Sequence, residues 1–448
     1  MMPDTVILLS IPGLRESDLA LMPHLRRLTE HGDKTALVAS FPAVTCSVQA
    51  CMTTGQLPRK HGVIGNGFYW REKRQVEMWT AWNDVIESPQ IWDILGQHDA
   101  SIVTAVWFPL LSKGADAALI CTPAPIHNPD GSESLWCYTR PTELYGELRD
   151  ALGHFPLKHF WGPLANIQST AWIAKSAQFS AARHQPHFFY IYLPHLDYAA
   201  QKFGPDSPQA LAACGELDNV LGELTAAFAA AYEQVSDERP TPPLYIVASE
   251  YVITPVTHVS YPNRALRAAG LLQVRDVAGT EELDLERSAA FAMVDHQFAH
   301  VFVRDADAAV CEQVRAIFTD SPGIAEVLVG PERAKYDIDH PRAGEALLIS
   351  SPESWQAYYW WLDDAQAPRY ARTVDIHQKP GYDPVELCFD PATRSIPLDA
   401  TLIKGSHGAP PREAWQRGVI LTSMPGVLEG PPMMDTDVYE LVLRQFGI

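Results

Sequence analysis

Positive charge is in short supply: 34 lysines and arginines face 54 aspartates and glutamates over 448 residues, a formal net charge of −20. A surface of that sign repels a phosphate backbone, which argues against general nucleic-acid binding. No 18 apolar residues follow one another, so no segment reads as a membrane span. The seven cysteines, at 46, 51, 121, 137, 214, 311 and 388, form no CxxC pair and no regular framework, which excludes a zinc ribbon or a disulfide scaffold. No Lys/Arg-rich stretch leads into a long apolar run near the start, so reduced thiols and a cytoplasmic location are expected. Internal repeats and low-complexity tracts are also missing. With 47% hydrophobic and 20% charged residues, there is ample material for a core.

What is present is an alternation. Short apolar runs, "TVILLS", "KTALVAS", "SIVTAVWF", "AALICT", "HFFYIYLP" and "LYIVASE", read as strands buried on both faces. Helical patterns such as "SPQIWDILGQHD", "PTELYGELRDALG" and "LAACGELDNVLGELTAAFAAAYEQVSDE" lie between them. This predicts an α/β core with a mostly parallel central sheet and helices on both faces, and places chemistry at the carboxyl ends of its strands. Residues 257–380 read differently, as hairpins and a small α+β unit, and are expected to form an inserted cap; 1–256 and 381–448 would form the core. The Pro/Gly-rich stretches at 121–134 and 238–244 read as loops.

The stretch from Phe41 to Asn66, "FPAVTCSVQACMTTGQLPRKHGVIGN", puts Thr45 where a strand gives way to a helix. Two readings are open. Thr45 caps the helix by accepting a backbone N–H bond, or it is a nucleophile beside the free N–H groups that bind a phosphoryl group.

This stretch resembles the nucleophile region of the alkaline phosphatase superfamily, in its nucleotide pyrophosphatase/phosphodiesterase branch. The resemblance implies that Thr45 attacks phosphorus and Asn66 steadies a phosphoryl oxygen. "YLPHLDYAAQKFGP" resembles the family pattern of an Asp followed four residues later by a metal-binding His, here Asp197 and Gln201. "IVASEY" stands where the family has Asp-His, here Glu250 and Tyr251, and "KGSHG" matches its closing His, His407. The family's first strand ends in an Asp ligand where this chain has Pro12. With those replacements two ordinary zinc sites are not expected. The resemblance implies a hydrolase of a small-molecule phosphoester, working through a phosphothreonine. One divalent ion, Mn2+ or Mg2+ more than Zn2+, would be held by Asp197, Gln201, Glu250 and His407. The competing reading is a non-catalytic binding or scaffold protein that keeps the fold and has lost its metal sites.

Other residues offer themselves as replacement ligands. His195 precedes Asp197 by two positions and would face the same side of an extended strand. Asp375, His377 and Asp383 form one polar run, and Asp295, His296 and His300 another. For each of them a surface or hydrogen-bonded core residue is the first reading. Phe68, Tyr69 and Trp70 either wall a substrate pocket or pack a core face, and Arg264 and Arg267 read as a solvated helix face.

Overall fold

Runs without alternation become strands covered on both sides. Val6–Ile11, Phe188–Tyr192 and Leu244–Ser249 are buried at every position. In the computed structural model, which describes residues 5–127, 133–233 and 242–448, they form the centre of a nine-stranded sheet. Its order is Met433–Met434, Lys34–Val38, Gly418–Thr422, Leu244–Ser249, Val6–Ile11, Phe188–Tyr192, Thr104–Trp107, Leu119–Pro123, Cys137–Arg140. The run from Leu244–Ser249 to Leu119–Pro123 is parallel. Gly418–Thr422 runs antiparallel to both its neighbours, and Cys137–Arg140 is an antiparallel edge. Ser10 pairs with both Tyr192 and Ala248, so the central strands end level with one another. Parts of the two expected loops, 128–132 and 238–241, lie outside the described residues.

Helices cover both faces. Ile167–His184 and Pro208–Glu233 pack Ile173, Leu217, Leu221 and Phe228 against one face. On the other, Ile91–His98 and Asp437–Arg444 bring Trp92, Leu95, Leu441 and Val442 against Leu8 and Ile246. The architecture is the α/β one expected. Among the described residues no helix is long and apolar enough to cross a membrane.

A separate antiparallel sheet, in the order Ala290–Asp295, Phe298–Val303, Ala346–Ser350, Ile324–Val329, lies within the stretch read as an α+β insertion. It shares one apolar cluster with the Thr45 segment: Phe41, Val44, Cys46 and Ala50 belong with Phe298, Val301 and Leu347. The Phe41 and Phe298 rings meet edge-on at 5.4 Å. Arg264 and Arg267 are not a solvated face. Arg264 donates to the Trp361 carbonyl at 2.7 Å and Arg267 pairs with Glu281, because the helix Pro262–Ala268 packs on the strand Ala290–Asp295 instead of facing water.

Candidate functional site

Thr45 opens the helix Thr45–Thr54, but it is not the cap. Val44, extended at φ −130° and ψ 154°, holds the cap position with no side-chain bond. The Thr45 hydroxyl lies 2.9 Å from the Tyr251 hydroxyl instead. The free N–H of the first turn is satisfied from a distance: Cys46 donates to Asn66 Oδ1 at 3.0 Å. Asn66 is itself gripped by Asp295, which accepts from its backbone N–H at 2.7 Å and from Nδ2 at 3.0 Å. Asp295 also lies 2.6 Å from His296 Nδ1.

Asp197 stands on a helix, His195–Phe203, that begins directly after the Phe188–Tyr192 strand and Pro194. The extended-strand expectation for His195 and Asp197 is therefore wrong: two residues apart on a helix they diverge, and His195 Nε2 meets Glu216 at 2.7 Å. Asp197 and Gln201, four apart, share a face. Gln201 Nε2 donates to Asp197 Oδ2 at 2.9 Å, while its oxygen accepts from the Tyr382 hydroxyl at 2.6 Å.

Tyr251 joins these parts. Its hydroxyl reaches Asp197 Oδ1 at 3.4 Å as well as Thr45, and its ring stacks on His407 at 3.7 Å with an interplanar angle of 7°. His407 Nδ1 is 2.8 Å from the Ala43 carbonyl, an acceptor only, so Nδ1 carries the proton. Among the described residues its Nε2 has no hydrogen-bond partner; it is buried 3.8 Å from Asp197 Oδ1. His296 stacks on Tyr382 at 3.6 Å and meets His407 at 3.8 Å with the rings tilted by 43°. Glu250 accepts from Ser10 at 2.7 Å and from Gln49 at 2.8 Å through one oxygen, and among the described residues its other oxygen has no partner. Thr45, Asp197, Tyr251 and His407 thus converge, and Glu250 faces Ser10 and Gln49 beside them.

Burial governs the titration. It pushes Asp197 up to about 7 against hydrogen bonds from Gln201 and Tyr251. It pushes Glu250 up to about 8 against those from Ser10 and Gln49, and Asp295 up to about 6 against Asn66. The His407 and His296 imidazoles are pushed well below their ordinary value by the same desolvation.

These donors do not fit the expected Mn2+, Mg2+ or Zn2+. Such ions take four to eight ligands, roughly, converging on one point. Gln201 turns its amide N–H, not its oxygen, toward Asp197, and the Tyr251 hydroxyl fills the gap between Thr45 and Asp197. Pro12 has no side-chain donor to give. Among the described residues no three or more His, Cys, Asp or Glu are grouped to hold a metal ion. The open space beside Tyr251 and His407 is about 10 Å3, room for one water at most. The candidate replacements bond elsewhere: Asp383 pairs with Lys379 at 2.8 Å, Asp375 accepts from the Gln378 backbone at 3.1 Å, His377 Nδ1 is 3.3 Å from the Met78 carbonyl, and His300 Nε2 is 2.9 Å from that of Ile64. Phe68 stacks on Trp70, and Tyr69 packs on Phe291 and Phe302.

Sequence reasoning undervalues four positions. "VDHQFAH" flags Asp295 and His296 as chemistry-bearing, though not that they hold Asn66 and His407. Tyr382 carries no local signal. Tyr251 shows only as a missing histidine.

The profile of the family described as type I phosphodiesterase / nucleotide pyrophosphatase matches residues 6–383. An uncharacterised pyrophosphatase/phosphodiesterase of Schizosaccharomyces pombe is 26% identical over 231 residues, 49% of this chain and 40% of the relative, so less than half of that protein is spanned. Phosphonoacetate hydrolase from Sinorhizobium meliloti 1021, solved with phosphonoformate, aligns over 99% of this chain and 96% of its own at 18% identity and a TM-score of 0.63. Murine ectonucleotide pyrophosphatase/phosphodiesterase 5 aligns over 99% and 95% at 15% identity and a TM-score of 0.60. At such identities the structures attest the fold, and the profile attests the family: the chain belongs to the type I phosphodiesterase / nucleotide pyrophosphatase family, a branch of the alkaline phosphatase superfamily.

Proposed function

We propose that this chain is a non-catalytic member of its family, a small-molecule binding protein in which a tyrosine hydroxyl links Thr45 to Asp197. The observation that carries this reading is Tyr251, bonded to Thr45 and approaching Asp197 inside a closed, buried cluster. A metal at a nucleophile lowers its pKa and neutralises the phosphoryl oxygens. A phenol brings no charge to either task, and burial among carboxyls pushes its own pKa far up. The ligand class follows from the relatives: proteins named as phosphodiesterases and a phosphonoacetate hydrolase point to a small organic phosphate or a similar anion. The test is elemental analysis of protein purified without added metal, with p-nitrophenyl phosphate and bis(p-nitrophenyl) phosphate assayed with and without Mn2+, Mg2+ and Zn2+. Substoichiometric metal and background rates are expected. Two ions per chain, or turnover removed by EDTA and restored by Mn2+, would overturn the reading.

One observation favours the second reading, a phosphoester hydrolase: Thr45 stays in the first turn of its helix, with a hydroxyl chain through Tyr251 to a carboxyl held near neutrality. Phosphate found on Thr45 by mass spectrometry, with turnover abolished in Thr45→Ala, would select it.

A further inference from the structure

A cavity of about 420 Å3 lies between the hairpin after Asn66 and the second sheet, lined by none of the residues around Thr45. That volume is within the range of small-molecule sites, roughly 300–1,000 Å3. Its apolar wall is a cluster of three rings. Tyr69 meets Phe291 edge-on at 4.8 Å and Phe302 at 4.9 Å, and Phe291 stacks on Phe302 at 5.4 Å. Its mouth carries Arg71, Arg74 and Arg304, all exposed.

Three guanidinium groups at one opening stand out in a chain of net charge −20. The acids nearby do not account for them all. Glu345 takes Arg71 at 2.7 Å and the Val303 N–H at 2.7 Å, with Arg71 lying 5.0 Å over the Phe302 ring. Asp305 also lines the cavity. Arg304 donates to the Ser288 carbonyl. Arg74 sits in the left-handed turn of the hairpin, at φ 50°, and among the described residues has no carboxylate partner. The field of all three arginines reaches the Tyr69 hydroxyl, where it opposes the effect of burial. Positive charge and an aromatic wall therefore meet at one opening.

We propose that this cavity binds a small organic anion, a phosphate or carboxylate on an aromatic body, with the ring against Tyr69, Phe291 and Phe302 and the anionic head between Arg74 and Arg304. Guanidinium forks match both head groups in bidentate geometry. The ligand class rests on the binding reading above; the place rests on the cavity's own residues.

The experiment is isothermal titration of the full chain with phenyl phosphate, benzoate and inorganic phosphate, in the wild type, in R74E/R304E and in Thr45→Ala. Saturable binding of phenyl phosphate or benzoate is expected, tighter than inorganic phosphate by at least about tenfold, and weakened about as much again in R74E/R304E. Tyr69→Ala should remove the preference for the aromatic probes, and Thr45→Ala should bind as the wild type does. Absence of saturable binding in the wild type, or equal binding by R74E/R304E, would overturn the site. R74Q/R304Q serves if charge reversal disturbs the circular dichroism spectrum. Metal-dependent turnover by the wild type would defeat the non-catalytic reading while leaving this cavity standing, and failed titrations would defeat the cavity without touching the metal question.

Discussion

A phenol cannot replace a divalent cation in charge, and burial is what raises the acids beside Tyr251. Asp197 titrates at about 7 against an ordinary 3.8, and Glu250 at about 8 against 4.5. The folded chain therefore holds these protons longer than the unfolded chain does, so their contribution to stability is full at low pH and is lost as pH rises through about 7 and 8. His296 and His407 act in the opposite sense, weakening the fold as pH falls below 6.5. We predict that Asp197→Asn flattens the decline in the urea midpoint between pH 3.8 and about 7, and Glu250→Gln that between pH 4.5 and about 8. Parallel declines in wild type and variants would mean that something cationic already holds these groups ionised. Thr45, Asn66, Asp197 and His407 were legible in the sequence because each sits in a short local string. Tyr251 was legible only as a loss, because what its hydroxyl touches lies 206 and 54 positions away.

At the scale of elements, the helix Thr45–Thr54 depends on a side chain outside it. With Val44 offering no cap bond, Asn66 supplies the acceptor for Cys46 N–H and is steered there by Asp295 from the second sheet. Asn66→Ala leaves a buried N–H without its partner and strips one donor from a buried carboxyl. We predict a loss of about 1–3 kcal/mol in urea unfolding, and a larger one for Asn66→Asp, which sets a second carboxylate against Asp295. Equal stability of all three proteins would show that Asn66 does not hold the helix start. The α/β alternation was readable because buried strands are apolar without alternation and helices are longer. The Asp197 segment was misread as a strand end. A short run after Pro194 carries no period long enough to reveal that the helix starts at once, and only the Asp197–Gln201 bond makes the four-residue spacing meaningful.

At the scale of the molecule, the parallel strands end level, and the second sheet shares its apolar cluster with the Thr45 segment, so the scaffold that aims these side chains is intact. That junction was hidden from the sequence: Asn66 and Asp295 are 229 residues apart, and nothing local to either announces the contact. If the scaffold is sound and only the donors are missing, restoring donors should restore the metal. In the family this chain resembles, ligands stand at the positions of Pro12, Gln201 and Tyr251. P12D, Q201H and Y251H together would add one carboxylate and two imidazoles to Asp197, Glu250 and His407, and would remove the hydroxyl that bridges Thr45 to Asp197. Imidazole and carboxylate donors at one point suit zinc. We predict saturable Zn2+ binding by the triple variant in isothermal titration, none by the wild type, and a rise in the variant's melting temperature with added zinc, since a ligand that binds the folded state alone stabilises it. A triple variant that folds with the wild-type circular dichroism spectrum yet takes up no zinc would mean that the strand ends are displaced from their metal-binding spacing, and that the divergence of this chain lies in its backbone as well as in its side chains.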